Sequence, residues 1–410
     1  MCVGLMMSLL LSHYLNPTQF GSLSYSIALV SLIVPVATLG LDNIVLIDLT
    51  SSPLESYKTI GTTFCLRLVA GMFSTLLCIA IVLFLRPDAK VVLIAVSILS
   101  VGIVLKATES LTLWFTYQVK AKHIVLVRNC ATLIACAIQT AMIFYKAPVI
   151  AFAWAMLLET TLSAIGFMLV YQAFGNSRVS ALRFDFNRAK SLLARGWPLI
   201  FYSLAVTVYM KIDQLMIGQI AGDEILGIYA VAARISEAVY CLPIAIISSL
   251  TPALIEAKEE ERSLYHARFQ RLFSLMVLIG ISASLFISLT AVPIINYFYG
   301  AAYANAGNVL AVHIWSFVFV CLGVAQSVWV TNENLQVTFL IRALCGSLIN
   351  IFLNLALIPK YGAMGATVST LFSYVVINYL FNAIQPETRH IFKMQSKAFL
   401  LSQLVLKNVG

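Results

Sequence analysis

The chain is a near-continuous succession of apolar runs, each about 20 residues long or more and each closed by a charge, a proline, a glycine or an asparagine. Runs of that length match the ~30 Å hydrocarbon core of a bilayer when coiled as helices. Open strands are excluded there, because lipid cannot satisfy their backbone groups. Composition agrees: apolar residues are 61% of the 410, charged residues only 10%, and the mean hydropathy is +0.94. A soluble domain needs roughly 25% charged residues to face water. A soluble enzyme, a nucleic-acid-binding domain and a disordered chain are therefore excluded. The formal charge of +9 sits mostly between the apolar runs, where it sets topology and is no phosphate-tracking stripe.

Twelve segments emerge, near 2–15, 21–47, 58–85, 90–118, 124–145, 148–174, 196–220, 226–252, 270–298, 304–330, 336–357 and 363–384. The fold class is an all-α polytopic membrane protein. Eighteen Lys and Arg fall on one side of these spans and four (Arg86, Lys90, Lys146, Lys360) on the other. The richer side reads as cytoplasmic, with both termini on it. The first segment is short: Cys2 to Leu15 covers about 21 Å, so the sequence predicts a helix one that is incomplete or begins within the membrane. It lacks the basic start and small-residue cleavage site of a signal peptide.

An internal repeat divides the chain. Asn16-Pro-Thr-Gln-Phe-Gly21 precedes Gly222-Asp-Glu-Ile-Leu-Gly227 by 206 positions, Trp114 precedes Trp329 by 215, and Arg128 and Lys146 precede Arg342 and Lys360 by 214. Six helices per copy means both copies enter from the same side. The halves are then parallel repeats about an axis along the membrane normal. The predicted organisation is a six-helix bundle over 1–175, a linker over 176–195, a second six-helix bundle over 196–385 and a tail over 386–410, the two bundles related by a pseudo-two-fold axis. The linker mixes Arg and Lys with Phe and Leu, and reads either as a helix in the headgroup layer or as a solvated connection. The tail has a similar mixture.

Nine charges lie inside spans: Asp42, Arg67, Lys106, Glu109, Glu159, Lys211, Asp213, Arg234 and Glu237. Each costs at least ~2.5–3.5 kcal/mol at the bilayer centre, so they pair or line a wet interior. Lys106 with Glu109 and Arg234 with Glu237 are i,i+3 neighbours that can pair locally. Arg67 and Glu159 need partners from another helix or from a ligand. Lys211 and Asp213 point about 200° apart. Asp48 and Arg342 sit near span ends, where side chains can snorkel. Asn350, Asn354, Gln326, Asn332, Asn334, Tyr202 and Tyr209 add neutral polar groups suited to sugar hydroxyls or to contacts between helices.

Catalytic signatures are missing. The dipeptide Gly-Lys does not occur, which removes a phosphate-binding loop, and there is no HExxH or GxSxG. The eight cysteines lie in apolar segments without CxxC spacing, and the five histidines are scattered. The expectation is no cofactor, no metal and no enzyme activity.

Several stretches resemble the O-antigen and polysaccharide flippases, in the superfamily that also holds the multidrug and toxin extrusion antiporters. They are His13-Tyr-Leu-Asn-Pro-Thr-Gln-Phe-Gly21 with Ala37-Thr-Leu-Gly-Leu-Asp42, and Trp114-Phe115 with Gln118-Val119 and Arg128-Asn129. Tyr209 to Glu224 with Gly227-Ile-Tyr229 and Arg234-Ile-Ser-Glu237, and Pro359-Lys-Tyr-Gly-Ala-Met-Gly-Ala366, complete the match. The resemblance implies a flippase that moves an undecaprenyl-pyrophosphate-linked oligosaccharide across a bacterial inner membrane by alternating access, coupled to H⁺ or Na⁺. It implies polysaccharide polymerase and chain-length proteins as partners, besides the bilayer, and no nucleic acid. Arg67, Lys106, Lys211 and Arg234 become candidates for substrate binding, and Asp42, Glu109, Glu159 and Asp213 for ion coupling. The competing readings are a drug or cation antiporter of the same fold and an O-antigen polymerase.

Overall fold

Each apolar run is helical, because only a helix satisfies its own backbone in lipid. The computed structural model describes residues 2–175, 181–260, 262–333 and 335–400, and no strand occurs among them. Helix α1 is Cys2–Tyr14, and α2 runs in two pieces, Pro17–Thr38 and Asp42–Ser51. Then come α3 (Ser56–Leu85), α4 (Lys90–Tyr117), α5 (Ala121–Phe144), α6 (Val149–Phe174) and α7 (Phe186–Ile220). Helix α8 comprises Asp223–Ala238 and Cys241–Glu260, α9 is Arg262–Phe298, and α10 comprises Asn305–His313 and Ser316–Asn332. Helices α11 (336–361) and α12 (363–384) meet at Gly362, whose backbone (φ 54°, ψ −128°) is non-helical. A short helix α13, Arg389–Phe399, follows.

Ten segments among the described residues are long and apolar enough to cross a membrane. One of them, Val337–Ile384, has 48 residues and would be about 72 Å long if straight, more than twice the hydrocarbon core. The break at Gly362 makes it two spans. Helix α1, at 13 residues, is a short twelfth, as the sequence predicts. Asn16 starts α2 with a capping box: its side chain accepts from the Gln19 amide at 2.8 Å, and Gln19 accepts from the Asn16 amide.

Packing divides the chain into two units, Met1–Gln219 and Ile220–Gly410. This differs from the expected boundary in the 176–195 linker. Residues 176–180 of that linker lie outside the described residues, and Phe186 onward already belongs to α7. The reason α7 packs with the first unit is visible at both of its ends. Near its start, Arg195 holds Asp48 with two hydrogen bonds, at 2.9 and 2.7 Å, and Arg188 reaches Glu55 and Thr59. At its finish, Arg86 donates to Gln219 at 3.1 Å and to the Gly218 carbonyl, and its guanidinium lies 4.0 Å from the Tyr25 ring centre. Between them Gly40 approaches α7 so closely that a Cβ there would lie 2.9 Å from the Leu199 carbonyl carbon.

Each unit has an aromatic core around the tryptophan that the repeat pairs. In the first, Trp114 meets Phe115 and Tyr171 edge-on, at 5.0 and 6.0 Å, over Leu41, Leu49, Ile60, Leu111 and Leu192. In the second, Trp329 meets Tyr265 and Phe269 at 4.8 and 4.9 Å. Edge-to-face pairs add to the area these rings bury.

Candidate functional site

Among the described residues, α2 and α4 in the first unit and α8 and α10 in the second are interrupted at matching places in the helix order, and α12 carries a π turn over Val376–Leu380. Paired interruptions of this kind are where transporter folds place polar backbone and charge at membrane depth. Six of the nine intramembrane charges lie or pair there: Asp42, Arg67, Lys106, Glu109, Arg234 and Glu237.

In α2 the break follows Pro35. Leu39 and Gly40 both take left-handed backbone (φ 58°), which ends the first piece and leaves the Thr38 carbonyl outside the helical ladder. Asp42 then opens the second piece, where a carboxylate suits the positive end of the helix. Arg67 of α3 is almost fully buried (2% exposed) and answers both consequences of the break. Its Nη2 donates to Asp42 Oδ1 at 2.8 Å, and its Nε donates to the Thr38 carbonyl at 3.2 Å. The partner that the sequence required from another helix is therefore Asp42. The Asp42 carboxylate itself is 60% exposed, so the pair has a buried cation and an accessible anion.

In α4 the break is a 3₁₀ turn over Lys106–Glu109; mid-helix turns of this type mark hinges or strained sites. Lys106 Nζ lies 3.4 Å from Glu109 Oε1, so the local i,i+3 pair forms. Arg128 of α5 comes within 4.0 Å of the same oxygen. Sequence reasoning placed Arg128 among the topology signals, and only the packing of α5 brings it here. Glu159 on α6 accepts a hydrogen bond from Thr132 of α5 at 2.7 Å, a neutral partner. On α7, Asp213 is buried and accepts from the Gln214 amide at 2.7 Å, while Lys211 is half-buried. The bonds above join Arg67 to Asp42, Lys106 and Arg128 to Glu109, and Thr132 to Glu159, so the pairs mix the substrate-binding and ion-coupling candidates.

In the second unit, Arg234 and Glu237 lie in the last turns before the α8 break at Val239 and Tyr240. Arg234 faces Glu237 and the phenols of Tyr299 and Tyr303, in the connection after α9. Burial pushes both phenols above the ordinary tyrosine range, so they stay neutral beside the cation. The α10 break follows His313, whose carbonyl accepts from Ser316 at 2.7 Å; Tyr240 lies 3.4 Å from the Ser316 hydroxyl and Tyr229 meets the His313 ring edge-on. This chain of hydroxyls and imidazole was not found in the sequence, because residues spread over α8 and α10 leave no spacing signal.

Arg342 corrects a second expectation. It does not snorkel: it is 0% exposed, and Asn382, Gln385 and Thr388 accept from its guanidinium at 2.7, 2.7 and 2.6 Å. Asn382 donates onward to Gln326 and Gln395, so one buried polar network joins α10, α11, α12 and α13. On α11, Asn354 donates to Asn350 at 2.9 Å, which satisfies half of each amide. Asn334 lies outside the described residues. No group of three or more His, Cys, Asp or Glu among the described residues could hold a metal ion.

Comparison with known proteins places this architecture. No curated protein matches the sequence. Solved structures do match the fold. An inward-facing multidrug resistance MATE family transporter of the MOP superfamily aligns with TM-score 0.76 at 13% identity, covering 98% of this chain and 95% of that one. The lipid II flippase MurJ, in an inward closed conformation, aligns with TM-score 0.70 at 15% identity, covering 100% and 91%. A MOP superfamily transporter from Pyrococcus furiosus gives 0.64 at 14% identity, covering 98% and 92%. At these identities the likeness is one of fold: an all-helical, multi-pass membrane architecture. The family profile for polysaccharide biosynthesis proteins matches residues 10–308, and with that match over most of its length the chain belongs to the polysaccharide biosynthesis protein family.

Proposed function

We propose that the protein is a flippase that carries an undecaprenyl-pyrophosphate-linked oligosaccharide from the cytoplasmic to the outer leaflet of a bacterial inner membrane. The observation that carries this reading is the placement of six of the nine intramembrane charges at the helix interruptions of a chain in a polysaccharide biosynthesis family. Arg67, Lys106, Lys211 and Arg234 would meet the pyrophosphate, since guanidinium and ammonium groups hold phosphate oxygens through charge-assisted hydrogen bonds. Asp42, Glu109, Glu159 and Asp213 would carry the coupling H⁺ or Na⁺. With no phosphate-binding loop in the sequence, an ion gradient or the substrate gradient supplies the drive.

The Arg67–Asp42 pair supplies a coupling step. While Asp42 is ionised it occupies the Arg67 guanidinium. A proton or sodium ion arriving at the accessible Asp42 carboxylate weakens that hold and leaves Nη2 available to a phosphate oxygen. Ion and substrate then compete across one arginine, which makes their binding energies interdependent. Both termini are assigned to the cytoplasm on the Lys/Arg bias.

The test is deletion of the gene in its host, scored by surface polysaccharide and by lipid-linked sugar on the cytoplasmic leaflet, with complementation by the wild-type chain. Loss of display with accumulation of the lipid-linked precursor supports the flippase. Normal display with gained sensitivity to cationic drugs assigns the protein to the antiporters of the same fold.

A further inference from the structure

Helix α13 has a composition unlike any other element of the chain. Its eleven residues, Arg389–Phe399, contain no acid and three cations outside the histidine. Arg389, Lys393 and Lys397 are spaced four apart, so they form a stripe along one face about 12 Å long, and all three are exposed. Ile391, Met394, Gln395 and Ala398 form the opposite face and are buried. Among the described residues, none of the three cations has a carboxylate within ion-pairing distance; Arg389 donates only to the Ala383 carbonyl, at 3.3 Å.

The position of the helix is fixed from two sides. The last transmembrane segment ends at Ile384, and the four residues before Arg389 span at most about 14 Å. On the other side, Gln270 of α9 donates to the Met394 carbonyl at 3.0 Å, only two residues before the charge-free run of α9 begins at Leu272. Helix α13 therefore lies against its own unit at the edge of the hydrocarbon, in the headgroup layer. Exposed Leu400, and Phe392 and Phe399 flanking Tyr379 at 4.9 and 5.6 Å, give its borders the apolar contacts of an interfacial helix.

We infer that the Arg389–Lys393–Lys397 stripe of α13 is a binding surface for anionic phospholipid headgroups. A zwitterionic headgroup offers no net charge to three aligned cations, whereas an anionic leaflet attracts each of them. The buried face keeps the helix docked through Gln395, which reaches Gln326 and the Asn378 carbonyl at 3.2 and 3.1 Å. Lipid binding on one face thus leaves protein packing on the other undisturbed. This inference is independent of what the protein transports.

The experiment uses the full chain in nanodiscs of phosphatidylcholine alone, or of phosphatidylcholine with phosphatidylglycerol. Amide hydrogen exchange over 389–399 is expected to slow on the order of tenfold with phosphatidylglycerol, and high salt should remove the effect. The triple variant R389Q/K393Q/K397Q should lose the lipid dependence while keeping its thermal midpoint in detergent, since the three side chains are exposed. Equal exchange in both lipids, or an unchanged lipid dependence in the triple variant, overturns the inference. So does full protection by inorganic phosphate in detergent, which would make the stripe a site for soluble anions. If the triple variant proves unstable, salt sensitivity of the wild-type chain in phosphatidylglycerol decides alone.

Discussion

Arg67 Nη2 stands 2.8 Å from Asp42 Oδ1, and the same guanidinium spans the gap in α2 by taking the Thr38 carbonyl with its Nε. The two bonds separate what charge does here from what shape does. Arg67→Lys keeps a cation for Asp42 but cannot reach both acceptors in a fixed fork. The Thr38 carbonyl then keeps the Leu41 amide, at 3.4 Å, but loses the guanidinium, at about 0.5–1.5 kcal/mol. We expect Arg67→Lys to lower the thermal midpoint modestly and transport strongly, and Arg67→Ala to abolish transport. Asp42→Asn should uncouple transport from the ion gradient at near-normal membrane abundance. Wild-type transport by Arg67→Ala would remove the pair from the mechanism.

Arg342 tests structure alone. Replacing it with methionine fills much of the volume but leaves Asn382, Gln385 and Thr388 without their donor in a buried site. The cost should be on the order of 3 kcal/mol, read as a lowered thermal midpoint and as loosened protection of α13 in hydrogen exchange. A midpoint equal to wild type would show that the network is not needed for stability.

His390 gives the second unit a dependence on pH. Burial holds its imidazole below the usual histidine range, and His266 and Arg262 push the same way, while Glu333 opposes them. Its ring also meets Trp329 at 4.6 Å, and its Nε2 has no hydrogen-bond partner among the described residues. A histidine whose folded-state pKa is depressed binds protons more readily when unfolded, so stability rises with pH across that window. The contribution is complete above the unfolded pKa of about 6.5 and is lost as pH falls below it. Thermal midpoints measured from pH 7.5 to 5.5 should drop, and His390→Gln should flatten the slope. An identical slope in the variant would assign the effect to other groups.

Gly40 and Gly222 form a matched comparison. Both have positive φ, at 58° and 92°, but a Cβ on Gly40 meets the Leu199 backbone at 2.9 Å and one on Gly222 meets nothing within 4 Å. Gly222→Ala costs only backbone strain of about 1–2 kcal/mol. Gly40→Ala adds a clash with α7 and should lower membrane abundance well below that of Gly222→Ala. Equal abundance of the two variants would show that α7 can shift freely.

What the sequence revealed and what it hid follow from the signals each feature leaves. Span length is a composition signal, so the succession of helices and the short α1 were legible from Cys2–Leu15 onward. Local charge pairs are a spacing signal, and Lys106–Glu109 was read that way. Helices that are apolar all round carry no face to read, so the sequence did not show which side of α3 Arg67 leaves by. It required a partner for that residue without naming Asp42. The α2 break was masked because Leu39 takes left-handed backbone that nothing in a leucine announces. Arg342 was misjudged because nearness to a span end, the cue for snorkelling, says nothing of the Asn382, Gln385 and Thr388 cage built from residues forty and more positions later.

The clamps that bind α7 to the helices before it also order the making of the protein. Asp48, Glu55, Thr59 and Arg86 leave the ribosome before α7 does, so each end of α7 meets its counterpart as soon as it is made. Both clamps lie within the first unit. A nascent chain whose α7 has cleared the ribosome contains seven helices and the partners of both clamps. An error in the synthesis of the second unit then leaves the clamps of the first unit already closed.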